Sequence, residues 1–225
     1  MRPQKKKTSS KLAKILKFGG SSVGSAERIK NVCDIVRVAV KTGRVAVVVS
    51  AMQGVTDKLL ALKIKEVKEI HQKAAAELKV AFPSFIFQEL EAVESGARML
   101  GDFSPMVMDR IASFGERLSA NLVASAFNKL NAKRSTLSAN VLDAREVVKT
   151  DNNFQNAAVD FPSTNAKIRS FLLNPKRYPL NAIPVITGFI GSTKDNQITT
   201  LGRGGSDYSA AIFGAALGVE AIKIW

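Results

Sequence analysis

The first clear pattern in the chain is "AKILKF" (13–18), a short apolar run halted by Gly19-Gly20. It predicts a β-strand. Ser25 then offers an N-cap, and Ile29, Val32, Cys33 and Val36 recur at helical spacing until Gly43, which predicts a helix. "RVAVVVS" (44–50) is almost unbroken in β-branched residues. Such a run suits a parallel strand covered on both faces. Strand, glycine turn, helix and strand together make a βαβ unit.

The middle of the chain reads as helical. Residues 57–81 alternate apolar and Lys/Glu positions at helical period until Pro83, and 84–100 and 105–131 continue in the same way. "STLSANVLDA" (135–144) returns to strand character, 164–173 predicts a short helix, and "AIPVITGFIG" (182–191) a buried strand ending in glycine. "QITTLG" (197–202) reads as a short strand, "DYSAAIFGAALG" (207–218) as a helix, and "EAIKIW" (220–225) as a final strand apolar enough to be central. The alternation predicts an α/β fold, a three-layer α/β/α sandwich around a mainly parallel sheet.

Composition supports a globular chain: 225 residues, 46% hydrophobic and 23% charged, enough for one sizeable core. No apolar run is long enough for a membrane span, so no membrane partner is expected. Cys33 is the only cysteine, which excludes an intramolecular disulfide and fits a reducing compartment such as the cytoplasm. The formal net charge is +14, and part of it is local: "MRPQKKKTSSKLAK" holds six basic residues and no acid. Residues 1–11 therefore read as a basic, disordered tail. The tail lacks the apolar core of a secretory signal and is short for a transit peptide. It has no aromatic residue to stack on a base, and basic charge alone discriminates poorly, so nucleic acid is not an expected partner.

His71 is the only histidine, set in the lysine-rich "VKEIHQKAAAELK", and is expected on a solvated helix face. A Ser–His–Asp triad and a histidine metal cage are thereby excluded, and no metal site is expected. Four glycine turns follow predicted strands: "KFGGSSVGS", "VVVSAMQGVT", "VITGFIGST" and "TTLGRGGSD". Glycines let consecutive N–H groups converge on an anion, and a following helix adds its dipole. Any one of these is an ordinary tight turn when taken alone. In an open α/β sheet, however, all four would gather where ligands bind, at the carboxyl ends of the strands. They carry Lys17, Gly19, Gly20, Ser21, Ser50 and Thr56 on one side of the sequence, and Arg203, Gly204, Gly205, Ser206 and Asp207 on the other. "ASFGERLSANL" (112–122) adds Glu116 and Arg117, a pair that would ordinarily sit on a helix surface. The flanking Phe114, Gly115, Leu118 and Leu122 predict burial instead, and a buried Glu116 needs a cationic partner. A substrate amino group would serve.

"KFGGSSV", "VVVSAMQGVT", "SFGERLSA", "LDAREVVKTDNNF" and "TTLGRGGSDYSAA", in this order over residues 12–225, resemble the aspartate kinases of the amino-acid kinase superfamily. The fourth segment is similar to the lysine-sensitive, monofunctional or plant-like type. The resemblance implies transfer of the γ-phosphoryl group of ATP, taken with Mg2+, to the β-carboxylate of L-aspartate. A carboxylate is already a nucleophile at neutral pH, so no histidine base is needed and catalysis rests on positioning and charge. The resemblance makes Lys17 the catalytic lysine, supported by Asp207, with Gly19, Gly20, Ser21, Ser50, Gly204 and Gly205 around the phosphates. Thr56, Glu116, Arg203 and Ser206 are implied for aspartate: Glu116 on the α-amino group, Arg203 on a carboxylate through paired N–H bonds. In the family the strand matching "AIKIW" continues into Thr-Asp and an adenine-binding segment, followed by ACT domains. The 12–225 catalytic domain is accordingly expected to be C-terminally incomplete, acting as a homo-oligomer or with a complementing C-terminal fragment. The alternative is a non-catalytic remnant that binds a partner or an anion.

Overall fold

The computed structural model describes residues 12–132, 136–175 and 178–225, so the basic tail 1–11 lies outside the described residues. The elements run β1 (Leu12–Phe18), α1 (Ala26–Ala39), β2 (Arg44–Val49), α2 (Val55–Leu60), α3 (Ile64–Leu78), α4 (Ser84–Leu100), α5 (Pro105–Ala112), α6 (Phe114–Asn131) and β3 (Ser138–Leu142). They continue with α7 (Phe161–Leu172), β4 (Ala182–Thr187), β5 (Ile190–Ser192), β6 (Ile198–Thr200), α8 (Gly205–Leu217) and β7 (Ala221–Ile224). Five strands form one sheet in the order β3-β4-β2-β1-β7. Every pairing in it is parallel. β5 and β6 form a separate antiparallel hairpin.

β2 shows why the apolar run was unbroken. Val45, Val47 and Val49 point into one core with α1, α3, α4 and α6, while Ala46 and Val48 point into a second core with α7 and α8. A strand side chain changes face at every residue, so a strand buried on both faces has no polar position. Each valine buried in this way stabilises the fold by roughly 1.5–3 kcal/mol. The α/β/α layering follows directly, and β1 alternates likewise, with Ile15 in one core and Leu16 in the other. Ser25 caps α1 as its position predicted, its side chain accepting from Arg28 N–H at 3.3 Å.

Several expectations are corrected. The 57–81 segment is two helices, broken at Leu62, whose φ is +55°. The 105–131 segment is also two, hinged at Ser113, whose hydroxyl donates to the Arg110 carbonyl at 2.7 Å. The 182–191 run splits into β4 and β5 around Gly188. β7, read as apolar enough to be central, pairs with β1 alone among the described residues, and Ile224 is 60% exposed. His71 is fully buried rather than solvated. It falls on the inward stripe of α3 with Ile64, Val67, Ala74 and Leu78, the i, i+3, i+4 spacing of an amphipathic helix. Its Nδ1 lies 2.7 Å from the Val67 carbonyl oxygen. Burial pushes the imidazole pKa down to about 4, so the ring is neutral at pH 7.

Candidate active site

The carboxyl ends of β1, β2 and β4 open onto a cavity of about 340 Å3. Lys17 reaches it from the last turn of β1, where the backbone is tightly held. Trp225 N–H donates to the Lys17 carbonyl at 3.0 Å, Gly19 N–H to the Trp225 carbonyl at 2.9 Å, and Ser50 N–H to the Phe18 carbonyl at 3.1 Å. The Lys17 ammonium is buried and lies 2.7 Å from Asp207 Oδ1. Asp207 sits in the first turn of α8, entered through Gly204 at φ +74°, a left-handed position that suits glycine. The N-terminal end of this helix therefore borders the cavity with its positive dipole.

Of the residues singled out from the sequence, Lys17, Gly20, Ser50, Thr56 and Glu116 line this cavity from one side. Arg203, Gly204, Gly205, Ser206 and Asp207 line it from the other. Gly19 and Ser21 do not. The Gly19 N–H is already spent on Trp225, and Ser21 borders a separate depression beside Phe18, Arg28 and Trp225. Arg203 is exposed at the mouth, and among the described residues its guanidinium has no hydrogen-bond or ion-pair partner.

Glu116 is the most constrained group in the cavity. α6 crosses the end of β2 so closely that a Cβ on Gly115 would lie 2.7 Å from the Ala51 Cβ. Glycine there lets the first turn of α6 settle onto Ala51, and Glu116 Oε1 accepts from the Ala51 N–H at 3.0 Å. Oε2 is buried and, among the described residues, has no hydrogen-bond partner. Burial pushes the Glu116 pKa up to about 8, against the Ala51 N–H, the group's own backbone and the Lys17 charge, which all pull it down. At neutral pH this carboxyl either keeps its proton or gains a cationic neighbour. Arg117 turns away. It ion-pairs with Glu89 and lies 4.6 Å over the Phe114 ring, so the adjacent charges Glu116 and Arg117 serve different places.

Gln53, Asp57 and Phe189 also line the cavity, and only their position inside the glycine turns signalled them. Asp109 had no such signal. It is buried on α5 and accepts from Thr200 N–H at 2.9 Å, Thr200 hydroxyl at 2.8 Å and Gln155 N–H at 2.9 Å. It thereby pins the end of β6, two residues before the turn that carries Arg203. Among the described residues no group of three His, Cys, Asp or Glu side chains is placed to hold a metal ion, and no helix is long and apolar enough to cross a membrane.

The amino acid kinase family model matches residues 13–225. Aspartokinase 3, chloroplastic, of Arabidopsis thaliana is 34% identical over 243 residues, covering 97% of this chain and 41% of its own length. The aspartokinase of Rickettsia prowazekii is 35% identical over 213 residues, covering 94% of this chain and 38% of its own. Among solved structures, E. coli aspartokinase III in complex with aspartate and ADP (R-state) superposes with a TM-score of 0.83 at 28% identity, over 95% of this chain and 48% of that one. The same enzyme with lysine and aspartate (T-state) gives 0.80 at 29% identity, over 96% of this chain and 49% of that one. The chain thus spans less than half the length of each of these relatives. A parallel sheet whose glycine turns converge on one lysine- and arginine-bearing cavity, and a family match running the length of that sheet, lead to one conclusion: this chain belongs to the amino acid kinase family.

Proposed function

We propose that this chain is the aspartate-binding and phosphate-binding part of an aspartate kinase, which forms 4-phospho-L-aspartate and ADP from L-aspartate and ATP. The observation that carries the reading is Glu116 Oε2, a carboxyl oxygen buried in the cavity without a partner among the described residues. When ionised, a buried carboxyl calls for a cation, and the α-ammonium of an amino acid supplies one with hydrogen-bond geometry. Across the same cavity Arg203 offers a guanidinium for a carboxylate, with Thr56 and Ser206 as hydroxyl partners. Opposite charges at opposite walls suit a zwitterion. E. coli aspartokinase III, one structural neighbour, was solved with aspartate and ADP.

In this reading one oxygen of the β-carboxylate attacks the γ-phosphorus as the bond from phosphorus to the ADP oxygen breaks, and ADP leaves with the electron pair. No proton has to be removed from the nucleophile. The chain's contribution is to place the partners and to stabilise charge on the transferring phosphoryl oxygens. Lys17 bears on those oxygens, and Asp207, at 2.7 Å, fixes where its ammonium sits. Gly20, Gly204 and Gly205, with Ser50, bring backbone and hydroxyl groups to the phosphates, and Gly19 and Ser21 shape the turn behind Gly20. ATP enters as its Mg2+ complex, the cation being part of the substrate. The product would open lysine, threonine and methionine synthesis, in the cytoplasm, with the chain assembled as a homo-oligomer or with a complementing C-terminal fragment.

Calorimetric titration tests the assignment. At about pH 8, Glu116→Gln should weaken L-aspartate binding by roughly 1–3 kcal/mol, the loss of a charge-assisted hydrogen bond in a buried setting, and Arg203→Lys, at an exposed position, should weaken it by a smaller amount through loss of the paired N–H geometry. ADP affinity should hardly change. A loss confined to the nucleotide would show that the two walls have been assigned to the wrong ligand.

A further inference from the structure

A second cavity, larger at about 820 Å3, lies between α5, α7, the segment after β3 and the β5–β6 hairpin, and shares no lining residue with the one above. It contains part of "LDAREVVKTDNNF", the motif that the proposed reaction leaves without a task. Lys149 from that motif is 9% exposed. Its backbone is fixed on both sides: the N–H donates to Thr164 Oγ1 at 2.9 Å, and the carbonyl accepts from Asp160 N–H at 2.8 Å. The ammonium donates to Ser192 Oγ at 2.7 Å and to Asn196 Oδ1 at 3.2 Å.

Both of those partners are neutral, and among the described residues no carboxylate pairs with Lys149. Of the three acids that line the cavity, Asp143 is engaged by Arg145 and Glu89 by Arg117, while Glu146 is exposed and forms no ion pair with Lys149. A second cation, Lys167, lines the same cavity. The donor count is informative. An ammonium has three N–H groups, and two are used. The Ser192 hydroxyl donates to the Arg145 carbonyl at 2.8 Å, so it can only accept from Lys149. Asn196 must turn its oxygen to the ammonium, which leaves its Nδ2 hydrogens unspent. One N–H of Lys149 and the amide of Asn196 are thus pre-set donors in a cavity whose cations, Arg110, Arg145, Lys149 and Lys167, outnumber its acids, Glu89, Asp143 and Glu146.

We propose that this cavity binds a small molecule through an oxyanion group, phosphate or carboxylate, seated on Lys149 Nζ and Asn196 Nδ2 with Lys167 nearby. Burial and the Lys167 charge both hold the Lys149 pKa below its ordinary value, as an ammonium awaiting a counter-ion should show. The site is independent of the aspartate cavity.

The test is a site-resolved NMR titration of the whole chain, at constant ionic strength, with inorganic phosphate in one arm and succinate in the other. Saturable shifts of the Lys149, Ser192, Asn196 and Gln197 amides are expected at millimolar anion. Phosphate taken up at the Gly20 and Gly204 turns is read separately, at those amides. Asn196→Asp keeps the oxygen that Lys149 needs but replaces the free donor by a negative oxygen. It should weaken binding at the Lys149 amides by at least about tenfold while the spectrum stays folded, the loss of one charge-assisted hydrogen bond. The arm that saturates at lower concentration identifies the group as phosphate or carboxylate. Absence of saturation in both arms, or wild-type affinity in Asn196→Asp, overturns the proposal.

Discussion

If Glu116 receives the α-ammonium of L-aspartate, binding must remove the proton that burial leaves on the empty site. The carboxyl pKa is pushed up to about 8, and the ammonium of a free amino acid stays charged throughout this range. At about pH 6 only about one site in a hundred is ionised, and creating the carboxylate then costs about 2.7 kcal/mol, at about 1.36 kcal/mol per pKa unit. L-Aspartate affinity should therefore rise roughly tenfold per pH unit from about pH 6, level off above about pH 8, and release close to one proton per ligand at the acid end. Calorimetry in buffers of different ionisation enthalpy reads the affinity and the proton count together. Glu116→Gln should flatten both. It should cost little at about pH 6, where wild-type Glu116 is itself neutral, and most above about pH 8. A wild-type affinity that is flat across this range, or a slope that survives in Glu116→Gln, would refute the reasoning.

His71 gives the opposite sign in unfolding. Its pKa is lowered to about 4 in the fold from an ordinary 6.5, so its contribution is present above about pH 6.5 and is lost on acidification, by about 3 kcal/mol once below about pH 4. Glu116, raised to about 8 from 4.5, stabilises the ligand-free protein below about pH 4.5 and loses that contribution as pH rises to about 8. The two oppose each other between about pH 4.5 and 6.5, so urea unfolding of Glu116→Gln should show a steeper acid loss than wild type, and His71→Phe a shallower one; equal slopes in all three would contradict both assignments. Gly115→Ala places a Cβ 2.7 Å from that of Ala51. It should destabilise by about 1–3 kcal/mol in urea melts and weaken L-aspartate binding by shifting Glu116, whereas an unchanged midpoint would mean that α6 moves freely. Cys33 is buried, and its thiol pKa is pushed up to about 12, chiefly by burial. It should resist thiol reagents in the native state and react on unfolding, as followed by absorbance; fast native labelling would contradict its burial.

The parts legible in the sequence are those in which a local pattern has a local cause. The unbroken β2 run, the Ser25 cap and the glycine turns each state their geometry within a few residues. Glu116 was legible as a buried acid because Phe114, Gly115 and Leu118 surround it in the sequence as well as in space. His71 misled because its lysine and glutamate neighbours mark the outer face of α3, while the residue itself continues the stripe of Val67 and Ala74. The breaks at Leu62 and Ser113 carry neither glycine nor proline, so no breaker residue marks them in the sequence. "AIKIW" is equally apolar at an edge or in a centre, so strand order could not be read from it. Asp109 was invisible because its partners lie 46 and 91 residues further along the chain.

The bonds that close the turn after Lys17 also wire in an optical reporter. Trp225 is the one tryptophan of the chain, and its ring stacks on Phe18 with centroids 4.9 Å apart. Its own peptide exchanges hydrogen bonds with Lys17 and Gly19. Trp225 is 42% exposed, so its emission maximum should respond to small changes in packing. Any ligand that draws the Lys17 strand end even slightly towards α8 should alter the environment of that single fluorophore, and the occupancy of the cavity becomes a spectral quantity that needs neither label nor coupled reaction.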